Sequence, residues 1–278
     1  MAMNTSSSGA VLTPAQVDEL LIRPVLAESV AAQVAKVIHT NASALRLPVV
    51  AADPTAAWTA EGAEIAVSDA TLEEVNVAFH ALKGLTVVSN ELIEDSSPEA
   101  SQLVGEGLAR DVAKRLDAAY FGVSAANTPN GIGSVSGVQS VTFAGPWANL
   151  DPFHEALSLA ETVGATVSAF VTSPAVALAL AKIKTGTGSN TPLLGQDPTS
   201  PTKRTIAGVP LFVSSAVAAN IVWAIPFQRT VIGLRKDVDV ATDTSAFFTS
   251  DRTAVRAVLR AGFGFAHAAA IVKVTATP

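Results

Sequence analysis

The chain has 278 residues, 49% of them hydrophobic, and no cysteine, so a sizeable core is within reach while a disulfide framework and a thiolate metal site are excluded. A formal charge of -6, with only 18 Lys and Arg over the whole length, argues against a surface that grips nucleic acid through clustered cations. Such a chain must gain any unusual stability from burial or from assembly.

The opening MAMNTSSSGAVLTPAQ lacks the cationic and apolar regions of a signal peptide, which leads us to expect a cytoplasmic protein. Thr13 and Pro14 suit the N-cap and first position of a helix. A second helical pattern runs from Pro24 to about Ile38, with Val30, Val34 and Ile38 on one face. Leu45, Leu47 and Val49 then alternate with Arg46, Pro48 and Val50, and Val75, Val77, Phe79 and Ala81 alternate in the same way, which is the period of a half-buried strand.

Between these two strands lies ADPTAAWTAEGAEIAVSD, residues 52 to 69, with Trp58 and Ile65 stranded among small and acidic residues. Arms of about a dozen extended residues reach ~40 Å at ~3.3 Å per residue. A compact body of this length has a radius of gyration of only ~19 Å. A hairpin that long either projects from the molecule and needs a partner surface, or its strands belong to a larger sheet of the same chain; periodicity leaves both open.

Ser97, Pro98 and Glu99 open the clearest helix, whose apolar stripe is Val104, Leu108, Val112, Leu116 and Tyr120. Running to Phe121, it is a beam ~36 Å long. The acidic Glu91, Glu94 and Asp95 suit its positive end and require no catalytic role. Beyond the turn at Asn127 to Gly131, shorter elements follow: a helix from Pro152 to Val163, a strand from Ser168 to Thr172, a helix from Pro174 to Lys184, and a long Gly-, Pro-, Ser- and Thr-rich loop over 185 to 203. The last third is strand-rich, with alternation from Val255 to Phe265 and a final strand from Ile271 to Thr275. Strands and helices are segregated, so the expected class is α+β, without internal repeats. The uncharged runs Thr162 to Ala181 and Thr205 to Gln228 have the length of membrane spans, but Pro174, Pro210, Asn220 and Pro226 break them and favour buried globular elements.

Signals for chemistry are weak. Ser200 and Lys203 have S-x-x-K spacing and Lys184-Thr185-Gly186 reads K-T-G, but their order is reversed relative to acylating serine enzymes and no S-D-N is present. His39, His80, His154 and His267 are dispersed, without metal spacing. There is no P-loop, and Gly186-Thr187-Gly188 lacks the rest of a dinucleotide fingerprint. No catalytic, metal or cofactor site is expected.

A resemblance is carried by Leu47-Pro48-Val49, Trp58-Thr59-Ala60-Glu61-Gly62, Ile65, Ser68-Asp69, Lys83 and the run Ser89 to Ser96. Pro129-Asn130-Gly131-Ile132, Ile206-Ala207-Gly208-Val209-Pro210, Phe247-Phe248, Arg256 and Arg260 continue it. In order and spacing these resemble tailed-bacteriophage major capsid proteins with the Hong Kong 97-like fold, over roughly residues 12 to 275. The resemblance implies an N-terminal arm (1–43), an extended loop (44–83), a peripheral part with the spine helix (84–126), an axial domain (127–230) and peripheral strands (231–278). It also implies that Trp58, Glu61 and Ile65 contact a neighbouring subunit.

The implied partners are copies of the chain in pentamers and hexamers, portal, scaffolding or decoration proteins, and double-stranded DNA enclosed without specific contacts. The implied location is the virion capsid, assembled in the host cytoplasm, and no membrane is involved. Some members cross-link through a lysine of the extended loop, but residues 45 to 82 contain none, so no isopeptide bond is expected. Others carry a cleaved scaffolding segment of about a hundred residues before the arm; here the arm begins near Met1, which implies a separate scaffold, or an already processed or self-sufficient form. The alternatives are an encapsulin-type compartment shell of the same fold, an enzyme using Ser200 and Lys203, and a small sugar- or receptor-binding module.

Overall fold

The computed structural model describes residues 28–52, 54–62, 64–91, 99–186, 188–194, 204–235 and 239–277, with backbone alone for 51–52, 99–106, 239–242, 244 and 248. The first helix among the described residues is short: α1 spans Val30–Val34, capped by the Ser29 hydroxyl, which accepts from the Ala32 N–H. The expected continuation to Ile38 does not form. Lys36–Thr40 is strand β1, paired parallel with β10 (Thr230–Arg235), because Val37 and Ile38 gain a sheet neighbour there that an isolated helix end cannot supply. The helix expected near Thr13 lies outside the described residues.

The hairpin strands are β2 (Ala44–Ala52) and β3 (Thr71–Ala78), an antiparallel pair in a sheet of their own. Their register sets Leu45 opposite Val77 and Leu47 opposite Val75, so one face of the ribbon is apolar. The chain then runs directly into β4 (His80–Ser89), which pairs with the fourteen-residue strand β12 (Arg252–Phe265). With β1, β10, β12 and β11 (Asp239–Phe247), β4 completes a five-stranded sheet. The long β12 takes β11 along its first half, β4 from Arg252 to Ala261 and β10 near its end.

Helix α2 (Glu99–Phe121) lies across this sheet. Val112, Leu116 and Tyr120 of the expected stripe are buried against Ile232, Leu234, Leu259 and Phe263. Leu108 is half-buried, and its Cδ1 would lie 2.7 Å from a Cβ added at Gly84, so the bare backbone of β4 is what admits the helix there. The Val104 side chain lies outside the described residues. Tyr120 meets Phe121 and Phe263 edge-on, each with ring centroids 5.1 Å apart, and its burial pushes the phenol well above its usual range.

The second sheet has six strands in the order β5-β13-β9-β6-β8-β7: Gln139–Ala144, Val272–Thr277, Ile221–Ile225, Ala169–Thr172, Val209–Val213 and Thr205–Ile206. Helices α3 (Asp151–Thr162) and α4 (Pro174–Lys182) supply Phe153, Ala156, Val176 and Leu180 to one of its cores. In β9, Val222 and Ala224 join that core, whereas Trp223 and Ile225 join the core under α2. Burial on both faces is why this strand reads IVWAI without alternation.

The final strand lies apart from the long strand before it. Val272–Thr277 does not join β10, β11 and β12 but enters the six-stranded sheet between β5 and β9. The reversal comes at residues 266 to 271, after which Ile271, Val272 and Val274 are fully buried. Among the described residues, no helix is long and apolar enough to cross a membrane.

Candidate assembly interface

The footing of the hairpin is a platform of glycines. Gly233 of β10 and Gly262 of β12 are register partners, and Gly264 follows two residues on, opposite Val231. A Cβ added at Gly262 would lie 2.5 Å from the Ala78 carbonyl oxygen, and one at Gly264 would lie 2.6 Å from Leu47 Cδ1 and 2.7 Å from Val77 Cγ2. One at Gly233 would lie 2.9 Å from Phe79 Cε1. With no side chains on that patch, the apolar face of the ribbon sits directly on the sheet, and Val77 is 1% exposed. Leu259, Ala261 and Phe263 point from β12 to the α2 side, so the hairpin rests on the opposite face of the same strand.

Away from this footing the ribbon loses its support. Arg46 Nε and Glu74 Oε1 lie 3.3 Å apart on its outer side, an exposed pair of modest worth. Beyond β2 and β3 the described residues from 54 to 70 form no strand. One local tie crosses the loop: the Thr55 N–H donates to Ser68 Oγ at 2.8 Å, and the Ser68 hydroxyl donates back to the Thr55 carbonyl at 3.0 Å. Gly62, at φ +81, turns the tip.

The three residues expected to contact a neighbour lie in this stretch. Trp58 is fully exposed, Ile65 is 75% exposed, and Glu61 at the tip is exposed as well. Val67 and Leu72 add further open apolar surface. Together they leave a run of large apolar side chains in open solvent along a thin projection.

A second junction fixes where Ser29 and α1 meet the body, and no local pattern of residues signals it. Asp117, on the polar side of α2, is 6% exposed. Its carboxylate accepts from the Ser29 hydroxyl at 2.6 Å, the Ala31 N–H at 3.0 Å, the Val30 N–H at 3.1 Å and the Ser214 hydroxyl at 3.3 Å. The buried charge is therefore held by donors from two separated parts of the chain. A half-open cleft of about 290 Å3 opens beside it, lined by Glu28, Arg110, Lys114 and Ser215 among others.

Of the fragments that imitate enzymes, only Lys184-Thr185-Gly186 lies among the described residues. Lys184 donates to the Asn190 carbonyl at 3.2 Å within its own exposed loop. Ser200 and Lys203 lie outside the described residues. His39 and His154 are exposed, His80 and His267 half-buried, and no group of three or more potential metal ligands occurs among the described residues.

A family model described as the phage capsid family matches residues 9–276. The chain belongs to the phage capsid family. Solved structures agree on the fold. One titled for Mycobacterium phage Bobi superimposes with a TM-score of 0.74 at 16% identity, covering 100% of this chain and 95% of that one. One titled for Microbacterium phage Oxtober96 gives 0.72 at 19% identity, covering 90% and 91%. The capsid of a native GTA particle computed with C5 symmetry gives 0.69 at 19% identity, covering 100% and 95%. No curated protein matches the chain at the sequence level. This capsid protein thus has the mixed α+β, Hong Kong 97-like fold that its residues resemble, and it belongs to a family of structural proteins.

Proposed function

We propose that this chain is a major capsid protein whose copies form pentamers and hexamers and close into an icosahedral shell around double-stranded phage DNA. The observation that carries the reading is the hairpin: a ribbon seated on glycines at its root and bearing Trp58, Ile65 and Val67 in open solvent at its far end. An isolated two-stranded ribbon is marginal in water. Laid on a neighbour, it would bury those side chains. About 1,000 Å2 of apolar area per contact contributes ~25 kcal/mol gross, before ordering costs. Repetition around closed symmetry leaves no free edge.

In this reading residues 44–83 are the extended loop, 84–126 carry the spine helix, 127–230 are axial and most of 231–271 is peripheral, with β13 returning to the axial sheet. Residues 1–43 are the arm, anchored where Ser29 and α1 meet Asp117. No lysine lies between 45 and 82, so burial and accessory proteins, rather than an isopeptide bond, hold the shell. Portal, scaffolding or decoration proteins complete the particle, which assembles in the host cytoplasm and becomes the virion capsid. The acidic balance of the chain suits a wall that encloses DNA without gripping it.

Electron microscopy with sedimentation of the purified protein, alone and with candidate scaffolding proteins, tests this. Closed shells or five- and six-membered rings are expected. Particles filled with protein cargo and never with DNA would favour a compartment shell. A protein that stays monomeric under all these conditions would overturn the reading.

A further inference from the structure

Asn130 is the only asparagine in the chain that is followed by glycine. The pair closes the irregular turn between α2 and a short helical turn at Ile132–Ser134, beyond which β5 enters the six-stranded sheet. Its two residues sit differently. Asn130 is exposed, and no hydrogen bond holds its side chain among the described residues. Gly131 is buried against the carbonyl end of α2: a Cβ added there would overlap the Ala119 and Gly122 carbonyl oxygens and lie 2.9 Å from that of Tyr120.

The chain is tied down on the far side of Gly131. Its carbonyl accepts from the Ser134 hydroxyl at 2.7 Å and the Ser134 N–H at 3.0 Å, and the Gly133 N–H donates to the Gly122 carbonyl at 3.1 Å. The peptide unit between Asn130 and Gly131 is not tied in this way. Neither the Asn130 carbonyl nor the Gly131 N–H makes a backbone–backbone hydrogen bond among the described residues. Other asparagines in turns are held. Beside Asn127 the Thr128 N–H donates to the Ala125 carbonyl at 3.2 Å, beside Asn190 the Thr191 N–H donates to Ser189 Oγ at 3.1 Å, and the Asn90 amide donates to Asp251 at 2.7 Å. A nitrogen that is already donating, or that carries a β-branched residue, is hindered from attacking the side chain before it. Gly131 has neither handicap.

We propose that the Asn130-Gly131 pair modifies itself. The Gly131 nitrogen attacks Asn130 Cγ and closes a five-membered succinimide ring. The new N–Cγ bond replaces the Cγ–Nδ2 bond, and the amide leaves as ammonia, taking the proton that the Gly131 nitrogen gives up. Water then opens the ring. Breaking the N–Cγ bond leaves aspartate in an unaltered main chain, whereas breaking the bond from that nitrogen to the Asn130 main-chain carbonyl leaves isoaspartate, whose main chain is longer by one carbon. Water is the only co-reactant, because the reacting atoms belong to adjacent residues and rotations within Asn130 bring them together.

Either product weakens the joint. A carboxylate at position 130 stands next to the carbonyls of Ala119, Tyr120 and Gly122, the negative end of α2. The longer isoaspartyl chain displaces Gly131 within a site that has no room even for a Cβ. Fresh and aged copies of the chain therefore differ at the connection between α2 and the six-stranded sheet.

Peptide mapping by mass spectrometry of the full chain, kept folded at mildly alkaline pH, tests this. Residue 130 should gain the mass of an amide-to-acid change, raised further in water carrying a heavy oxygen isotope, about tenfold or more faster than Asn127 and Asn190. The product should also accept a methyl group from an isoaspartyl methyltransferase. Asn130→Gln should lose the reaction. Asn130→Asp, which carries the product's charge from the start, should show a lower urea midpoint and faster protease cleavage within 122–131. A folded chain that keeps Asn130 intact while its urea-unfolded form converts would overturn the proposal, as would conversion of Asn127 or Asn190 at the same rate. None of these readouts needs assembled particles, so the inference stands or falls separately from the shell reading.

Discussion

Phe153 and Trp58 are both large aromatic residues, yet they have opposite fates. Phe153 is fully buried between Trp147 and Phe170, with ring centroids at 5.6 and 5.3 Å, in a core shared by two helices and a sheet. Trp58 touches solvent on all sides. The six-stranded sheet is complete within one chain, whereas the hairpin is complete only at its root. The difference separates residues that hold the subunit's own core from residues that add nothing to it.

The contrast can be broken by substitution. Phe170→Ala leaves a cavity at the centre of the core beside the six-stranded sheet and is expected to cost about 3–5 kcal/mol, read as a lower urea midpoint, with folded protein lost. Asp117→Ala strips four donors of their acceptor and should cost about 3 kcal/mol by the same measurement, with faster amide exchange at Val30 and Ala31. Gly262→Val drives a side chain against the Ala78 carbonyl. A loss of about 1–3 kcal/mol is expected, together with greater protease sensitivity of the hairpin, because the root must lift off its platform.

The chain's one tyrosine offers a subtler test. Burial raises the Tyr120 phenol, so above pH ~10 the unfolded chain releases a proton that the folded one keeps. Stability should therefore fall with rising pH, by up to about 1.4 kcal/mol per pH unit from this group, and the phenolate absorbance should appear only as the fold is lost. A phenolate signal at the usual pH in a folded protein would contradict the burial of Tyr120. The smallest effect on the subunit belongs to Trp58→Ala, within about 0.5 kcal/mol of wild type by urea titration. Its effect on assembly should nonetheless be large. Aggregation of unfolded monomer in that variant would place Trp58 in a core after all.

Much of this molecule can be read along the chain. The alternation of Leu45, Leu47 and Val49 and the stripe of Val112, Leu116 and Tyr120 are local patterns, and each became the element its period dictates. Periodicity left the place of Trp58 and Ile65 open, and only the resemblance to capsid proteins implied that they lie outside the core, where both are exposed. The capsid family could likewise be recognised from residues whose spacing is set by turns and strand ends.

Tertiary structure decided what depends on residues far apart in sequence. Val37 and Ile38 suit a helix face as well as a strand, and only the edge of β10 chose between them. Asp117 looks like any polar helix residue until Ser29 and Ser214, 88 and 97 positions away, close around it. The glycines in AGFGF signal a close approach, but not that Leu47, Val77 and Ala78 are what approaches. The final strand, Val272–Thr277, was bound to be a strand, yet which sheet it joined depended on the open edge between β5 and β9. Periodicity is written in neighbouring residues, whereas pairing is settled by whichever distant surface buries the most apolar area and satisfies the exposed backbone.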